Sequence, residues 1–273
     1  MNAKTVVITG ASTGIGLAVA QACLTAGLRV VAGVRSDDDA DRLAKTGAMP
    51  LRLDVTDADK VAAAFEIVQT ALAGGPLLGL VNNAGIAIPG PLEALTSEQI
   101  DRQFQVNVVG LHRVTVAMLP LMNRGSRIVN LSSVSGGIVF PLLGAYAASK
   151  FAVEALSRAM RIELAGRGIG VSVVAPGAIR TPIWNKAATS SRSLLVPERY
   201  AEPMRRLEEV ATGASENALP PERVAEAVAY CLTCRRPPRK IVVARNRLAN
   251  WSIPRRLPGW LFDRLARRQL KLD

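Results

Sequence analysis

The sequence predicts a doubly wound α/β fold, a parallel seven-stranded sheet with helices on both faces. Three observations carry that prediction. Short apolar runs alternate with helix-period segments along almost the whole chain. Apolar residues are plentiful but aromatics few, as in a Val/Ile/Ala-rich sheet covered on both sides. The 273 residues suffice for a full core of this kind.

The elements follow in order. Strands are expected at 5–8, 29–34, 50–53, 78–82, 127–131, 171–174 and 240–243. Helices are expected at 15–26, 37–46, 57–73, 97–124, 147–167 and 221–233. Right-handed crossovers leave little choice of topology. One long irregular stretch, about 181–219, follows the sixth strand and reads as a lid. Nothing splits the chain, so 1–244 is expected to be one catalytic domain and 245–273 a basic C-terminal extension. The chain enters its first strand directly after Lys4, so a cleavable leader is not expected. No apolar run reaches the roughly 18 residues of a membrane span. Cys23, Cys231 and Cys234 form no disulfide or metal framework and read as helix thiols in a reduced, cytoplasmic setting. The single histidine, His112, sits in an apolar helical stretch and reads as structural. No metal site is expected.

The turn Thr9-Gly10-Ala11-Ser12-Thr13-Gly14-Ile15-Gly16 lies between the first strand and first helix. Glycines there allow a tight turn and close approach of backbone to a diphosphate, which the helix N-terminus attracts. This predicts dinucleotide binding. The second strand ends in Val34-Arg35-Ser36, with no carboxylate at its end. Arg35 would pair with a 2′-phosphate, so NADP is expected in preference to NAD; the alternative is that Asp37 moves in to hold an unphosphorylated ribose.

Tyr146 and Lys150 stand four residues apart, one helical turn, and Ser133 lies thirteen residues before the tyrosine. A nearby cation favours a phenolate over a phenol of pKa about 10. The pair is a proton-transfer device, and Ser133 could bond a substrate oxygen beside it.

These residues together resemble the short-chain dehydrogenase/reductase family. The resemblance rests on the turn 9–16, the segment Asn82-Asn83-Ala84-Gly85, Asn107, Ser133, Tyr146 with Lys150, and Pro176-Gly177-Ala178-Ile179-Arg180-Thr181. It covers roughly residues 4–244. Ala32–Arg35 and 177–184 are most similar to the 17β-hydroxysteroid and retinol dehydrogenase branch and its bacterial relatives. The resemblance implies a Rossmann-type fold and hydride transfer at a CH–OH carbon. It makes Tyr146 the general acid/base, Lys150 the holder of the nicotinamide ribose, Ser133 the substrate-oxygen donor and Asn107 part of a water-linked relay. Ser132 is a rival to Ser133 that the family spacing disfavours. The cofactor would meet Gly10, Ser12, Thr13, Gly14, Ile15, Gly16, Arg35, Asp54, Val55, Asn83, Ala84, Gly85, Pro176, Gly177, Ile179 and Thr181. Relatives are commonly homodimers or homotetramers.

Apolar residues fill the loop after Ser133 and the start of the lid. Val139, Phe140, Leu143, Ile183 and Trp184 would line a pocket for a lipophilic alcohol or ketone of steroid, retinoid or long-chain type; equally, such residues could simply pack beneath the lid. The net charge is +12, and twelve Lys/Arg against two Asp lie beyond residue 234. A helix drawn over 260–272 separates Leu261, Phe262, Leu265, Ala266 and Leu272 from Arg264, Arg267, Arg268 and Lys271. Such a helix suits an anionic membrane surface, giving a peripheral enzyme; the alternative is packing on the body or on a second subunit. A non-catalytic dinucleotide sensor at such a surface is the rival class, and the intact Ser–Tyr–Lys set argues against it. Specific nucleic-acid binding is not expected, because no recognition motif accompanies the charge.

Overall fold

The computed structural model describes residues 4–183, 187, 194–216 and 218–272, with backbone alone for 210–216. Its strands are β1 (Thr5–Ile8), β2 (Arg29–Val34), β3 (Met49–Arg52), β4 (Gly79–Asn82), β5 (Arg127–Leu131), β6 (Gly170–Pro176) and β7 (Lys240–Val243). They form one sheet in the order β3-β2-β1-β4-β5-β6-β7, every pair parallel. The chain steps outward to β3 on one side of β1 and to β7 on the other. A crevice therefore opens where the order reverses, beyond the carboxyl ends of β1 and β4.

The helices are α1 (Gly14–Thr25), α2 (Asp37–Ala44), α3 (Ala58–Leu72), α4 (Ser97–Phe104), α5 (Leu111–Met118), α6 (Gly144–Glu163), α7 (Ala201–Glu216), α8 (Glu222–Thr233) and α9 (Gly259–Leu270). Alternation along each strand divides the core. Val6, Ile8, Val30 and Val129 face α1 and α8, where Val19, Cys23, Val228 and Cys231 are buried. Val7, Val31, Leu80 and Ile128 face α3, α5 and α6 on the other side. Cys234 ends α8, half-buried.

A line of buried polar side chains crosses the middle of the second layer. Asn82 Nδ2 donates to Thr115 Oγ1 (2.9 Å) and to Asn130 Oδ1 (2.8 Å). Asn130 Nδ2 donates to Ser157 Oγ (2.9 Å). Thr115 and Ser157 each return their proton to a carbonyl of their own helix. The line thus joins α5, β4, β5 and α6 in one register, which apolar packing alone would leave free to slide.

Two expected elements take a different form. The single helix at 97–124 is instead α4, a π-helical segment Gln105–Gly110, α5 and a 3₁₀ turn Leu119–Leu121. Side chains pull this segment onto the loop after β4. Gln103 Oε1 accepts from Ile88 N at 2.7 Å, and Asn107 Oδ1 accepts from Ile86 N at 2.8 Å. The excursion after β6 is not wholly irregular, because it contains α7. That helix has no long apolar stripe and is held by Arg–Glu pairs one turn apart, Arg205 with Glu209 and Arg206 with Glu202.

The C-terminal extension packs on the body. Trp251 is buried against Ile138, Ala175 and Val242, with Lys240 Nζ 4.4 Å and Arg255 Cζ 4.6 Å from its ring centroid. No helix among the described residues is long and apolar enough to cross a membrane.

Asn130→Leu removes one of the two acceptors of Asn82 Nδ2 and the donor to Ser157 Oγ, and should cost about 1–3 kcal/mol of stability. Urea unfolding checks this: the midpoint should fall with an unchanged slope. An unchanged midpoint would show that the polar line contributes nothing.

Candidate active site

The turn after β1 is shaped by what it must avoid. Gly10 has φ +64°, and a Cβ there would stand 2.9 Å from Ala84 Cα. Gly14 has φ +56°, with Thr181 Cβ 3.1 Å from where its own Cβ would be. A Cβ on Gly16 would lie 2.5 Å from Asn83 Nδ2. That amide is fixed: Asn83 Nδ2 donates to the Thr9 and Gly10 carbonyls at 2.9 and 2.8 Å. Thr9 Oγ1 accepts in return from the backbone N–H groups of Asn83 and Ala84, each at 3.0 Å. The first turn of α1 has no acidic residue, and Thr13 places no side chain on its N–H groups. A backbone cradle with free donors at a helix N-terminus fits a diphosphate.

The crevice brings the expected cofactor residues together. Gly10, Ser12, Thr13, Gly14, Ile15 and Gly16 line it from β1 and α1; Arg35, Asp54 and Val55 from the ends of β2 and β3. Asn83, Ala84 and Gly85 follow β4, while Pro176, Gly177, Ile179 and Thr181 follow β6. Arg35 is exposed at the outer end. Asp37 is instead in the first turn of α2, and its carboxylate faces Arg52 (3.5 Å). Asp54 Oδ1 accepts from the Thr56 N–H and hydroxyl at 2.9 and 2.7 Å. Burial pushes the Asp54 carboxyl up, but those bonds and the charges of Arg35 and Lys60 outweigh it and hold the pKa below its ordinary value.

Ser133, Tyr146 and Lys150 meet at the other end. Ser133 caps a 3₁₀ turn after β5, its Oγ accepting from Ser135 N at 3.1 Å. Tyr146 and Lys150 lie on the first two turns of α6, both buried. Burial pushes the Tyr146 phenol up, and its hydrogen bond with Ser133 acts against that. The net direction is upward, opposite to the lowering expected from the lysine. The reason is geometric. Lys150 Nζ donates to Leu131 O at 3.0 Å and stands 5.8 Å from the tyrosine ring centroid, so within the chain the cost of desolvating a phenolate dominates. Burial brings the Lys150 ammonium down to about 8, with the Glu154 carboxylate opposing.

Asn107 lies behind this group rather than on the crevice wall. Its Nδ2 donates to Ile86 O (2.9 Å) and Ser149 Oγ (3.0 Å), and a Cβ on Gly85 would lie 3.3 Å from its Oδ1 and 3.6 Å from Lys150 Nζ. Ser132 Oγ is buried without a partner and faces Gly136, where a Cβ would meet it at 2.5 Å.

The apolar residues divide differently from expectation. Ile183 packs with Ala87 and Ala187 around Tyr146, and Leu143 is buried just before α6. Phe140 turns away to meet Phe262 edge-on, 6.3 Å between centroids, and Val139 lines a groove beside α9. Neither borders the Tyr146 crevice, because α9 offers them an apolar partner. Trp184 lies outside the described residues.

The profile of the family described as short chain dehydrogenase matches residues 4–192. The chain belongs to the short-chain dehydrogenase/reductase family. It is 36% identical over 265 residues to an uncharacterized oxidoreductase, YbbO, of Escherichia coli, covering 96% of this chain and 93% of that one. It is 31% identical to the NADPH-dependent 3-dehydrocapnine reductase of Ornithobacterium rhinotracheale, over 97% of this chain and 96% of that one. Its fold matches a short-chain dehydrogenase from Streptomyces avermitilis with TM-score 0.80 and 29% identity, over 99% of this chain and 97% of that one. It is therefore an oxidoreductase of a family that binds a nicotinamide cofactor.

Several supporting residues of this short-chain dehydrogenase carried no signal in its sequence. Ser149 holds Asn107 and also donates to Tyr146 O at 2.7 Å. Glu154 pairs with Lys240 of β7 at 2.7 Å, tying α6, the helix of Lys150, to the far edge of the sheet. Thr9 was visible only as the residue before Gly10; its bonds to Asn83 and Ala84 are long-range.

A buried ammonium weakens the fold. Lys150 has a folded pKa of about 8 against an ordinary 10.5, so the unfolded chain binds more protons between those values and stability rises with pH across that window. Lys150→Met should stabilise the protein at pH 7 by roughly 1–3 kcal/mol, with the gain shrinking toward pH 10.5. Chemical denaturation at two pH values checks this. A destabilised variant, or a gain that grows with pH, would contradict the electrostatic account.

Proposed function

We propose that this protein is an NADP(H)-dependent oxidoreductase that interconverts a hydroxyl and a carbonyl on a lipophilic substrate of steroid, retinoid or long-chain type. The observation that carries the reading is the meeting of Ser133, Tyr146 and Lys150 at one end of the crevice whose middle holds the glycine cradle. When bound, the nicotinamide supplies or accepts the hydride. In reduction, Tyr146 Oη gives its proton to the substrate oxygen as negative charge develops there. Ser133 Oγ donates a second hydrogen bond to that oxygen. Lys150 holds a positive charge behind the tyrosine and the ribose hydroxyls beside it, and Asn107 supports the path by which Tyr146 is reprotonated. In oxidation the same proton moves the other way. A phenol kept neutral by burial is suited to the donor role.

Arg35 supports NADP(H) over NAD(H), because Arg35 lines the crevice whereas Asp37, in the first turn of α2, does not. The relative named as NADPH-dependent agrees with this. The apolar residues around Tyr146 (Ala87, Ile183 and Ala187) support a lipophilic substrate. Exposed Val109 and Val116 before and on α5, with Phe151 and Ile162 on α6, support a homodimer or homotetramer.

Turnover is read at the reduced-nicotinamide absorbance band with steroid, retinoid and long-chain alcohol/carbonyl pairs. Tyr146→Phe should lower kcat by roughly 10²–10⁴-fold while leaving NADP(H) binding intact. Full activity in that variant would remove the tyrosine from the mechanism. Arg35→Ala should weaken NADP(H) about 10–100-fold and leave NAD(H) nearly unchanged. Equal losses for both cofactors would rule out a 2′-phosphate site at Arg35.

A further inference from the structure

The C-terminal extension is fixed from within and unsatisfied on its outer side. Inward, Phe262 meets Phe140, on the loop from Ser133 to Tyr146, and Leu270 is buried. Lys271 Nζ lies 3.1 Å from Glu202 Oε1 at the head of α7. The helix therefore rests on the loop that carries the catalytic serine and on the excursion after β6. Outward, Trp260 is 68% exposed and Leu265 49% exposed. Trp260, Arg264 and Arg268 follow one another at four-residue spacing, and Leu261 and Leu265 form the next row. Residues 245–273 carry eight Lys/Arg and two Asp, half of the net charge of the whole chain.

Trp is an apolar ring with a polar N–H, and it settles at the boundary between headgroups and acyl chains. Arginine beside it pairs with phosphate. A second copy of the chain fits poorly on this surface. A two-fold contact would place Arg264 and Arg268 near their own counterparts, which like-charge repulsion disfavours. A nucleic acid would use the charge, but it has no partner for exposed Leu265.

We propose that α9 is an interfacial docking helix. It lays Trp260, Leu261 and Leu265 into the headgroup region of an anionic bilayer, while Arg264 and Arg268 bind lipid phosphates. The docking itself does not depend on the oxidoreductase reading, because binding is measured without turnover.

The test is co-sedimentation of the full chain with phosphatidylcholine vesicles, with and without phosphatidylglycerol, together with tryptophan emission. The protein should bind the phosphatidylglycerol vesicles in a salt-sensitive way, with a blue shift of emission. Trp260→Gln/Leu265→Gln should bind at least about tenfold more weakly and lose the shift. Arg264→Gln/Arg268→Gln should lose most of the salt dependence. Both variants should keep native circular dichroism and NADP(H) binding. Equal vesicle binding by the wild type and the first variant would overturn the proposal. So would binding of duplex DNA without binding of vesicles, or dissociation of an oligomer in the first variant.

Discussion

The bonds between Asn83 and the turn after β1 set the conditions for everything above them. Parallel strands end in unpaired peptide groups, and at the point where the strand order reverses no crossover helix covers them. The Asn83 amide takes the Thr9 and Gly10 carbonyls, and the Thr9 hydroxyl takes the Asn83 and Ala84 N–H groups. The ends of β1 and β4 are thereby locked together. Because the Gly10 carbonyl and the Asn83 amide bonded to it occupy the space beneath α1, position 16 must lack a side chain. The cradle in the middle of the crevice is thus a consequence of satisfying backbone groups at the switch point.

The same reasoning extends to the chemistry at the other end. Lys150 is held by Leu131 O at the end of β5, and Asn107 by the Ile86 backbone on the loop after β4. The polar line from Thr115 to Ser157 lies one layer deeper and fixes β4 and β5 relative to α5 and α6. The fold holds a cation and a phenol out of water, each displaced from its ordinary pKa by burial. Holding the Lys150 ammonium there costs stability.

Strands were legible in the sequence because Val and Ile runs with flanking helical periods admit few other readings. All seven are found, with ends displaced by at most two residues at β3, β4 and β6. The broken helix between β4 and β5 was not legible. A π segment keeps nearly the same apolar period as an α-helix, and its cause is a set of side-chain bonds to a loop far away in sequence. The helix α7 was missed because its composition is polar and its support comes from ion pairs. Residues around the crevice were legible through motif spacing. Val139 and Phe140 were not, since an apolar loop residue packs on whatever surface reaches it, and here that surface arrives from the other end of the chain.

The account turns on one event, delivery of a hydride across the Ser133–Tyr146–Lys150 end of the crevice. The most direct test is a single turnover with NADPH carrying deuterium at both C4 positions and an excess of enzyme over a lipophilic ketone, with the product analysed by mass spectrometry. The account predicts one deuterium on the carbinol carbon of the alcohol, none exchanged into solvent, and labelling at least about a hundredfold slower with Tyr146→Phe. Cofactor that binds but keeps its label against every ketone and aldehyde offered, or equal labelling by the tyrosine variant, would contradict it.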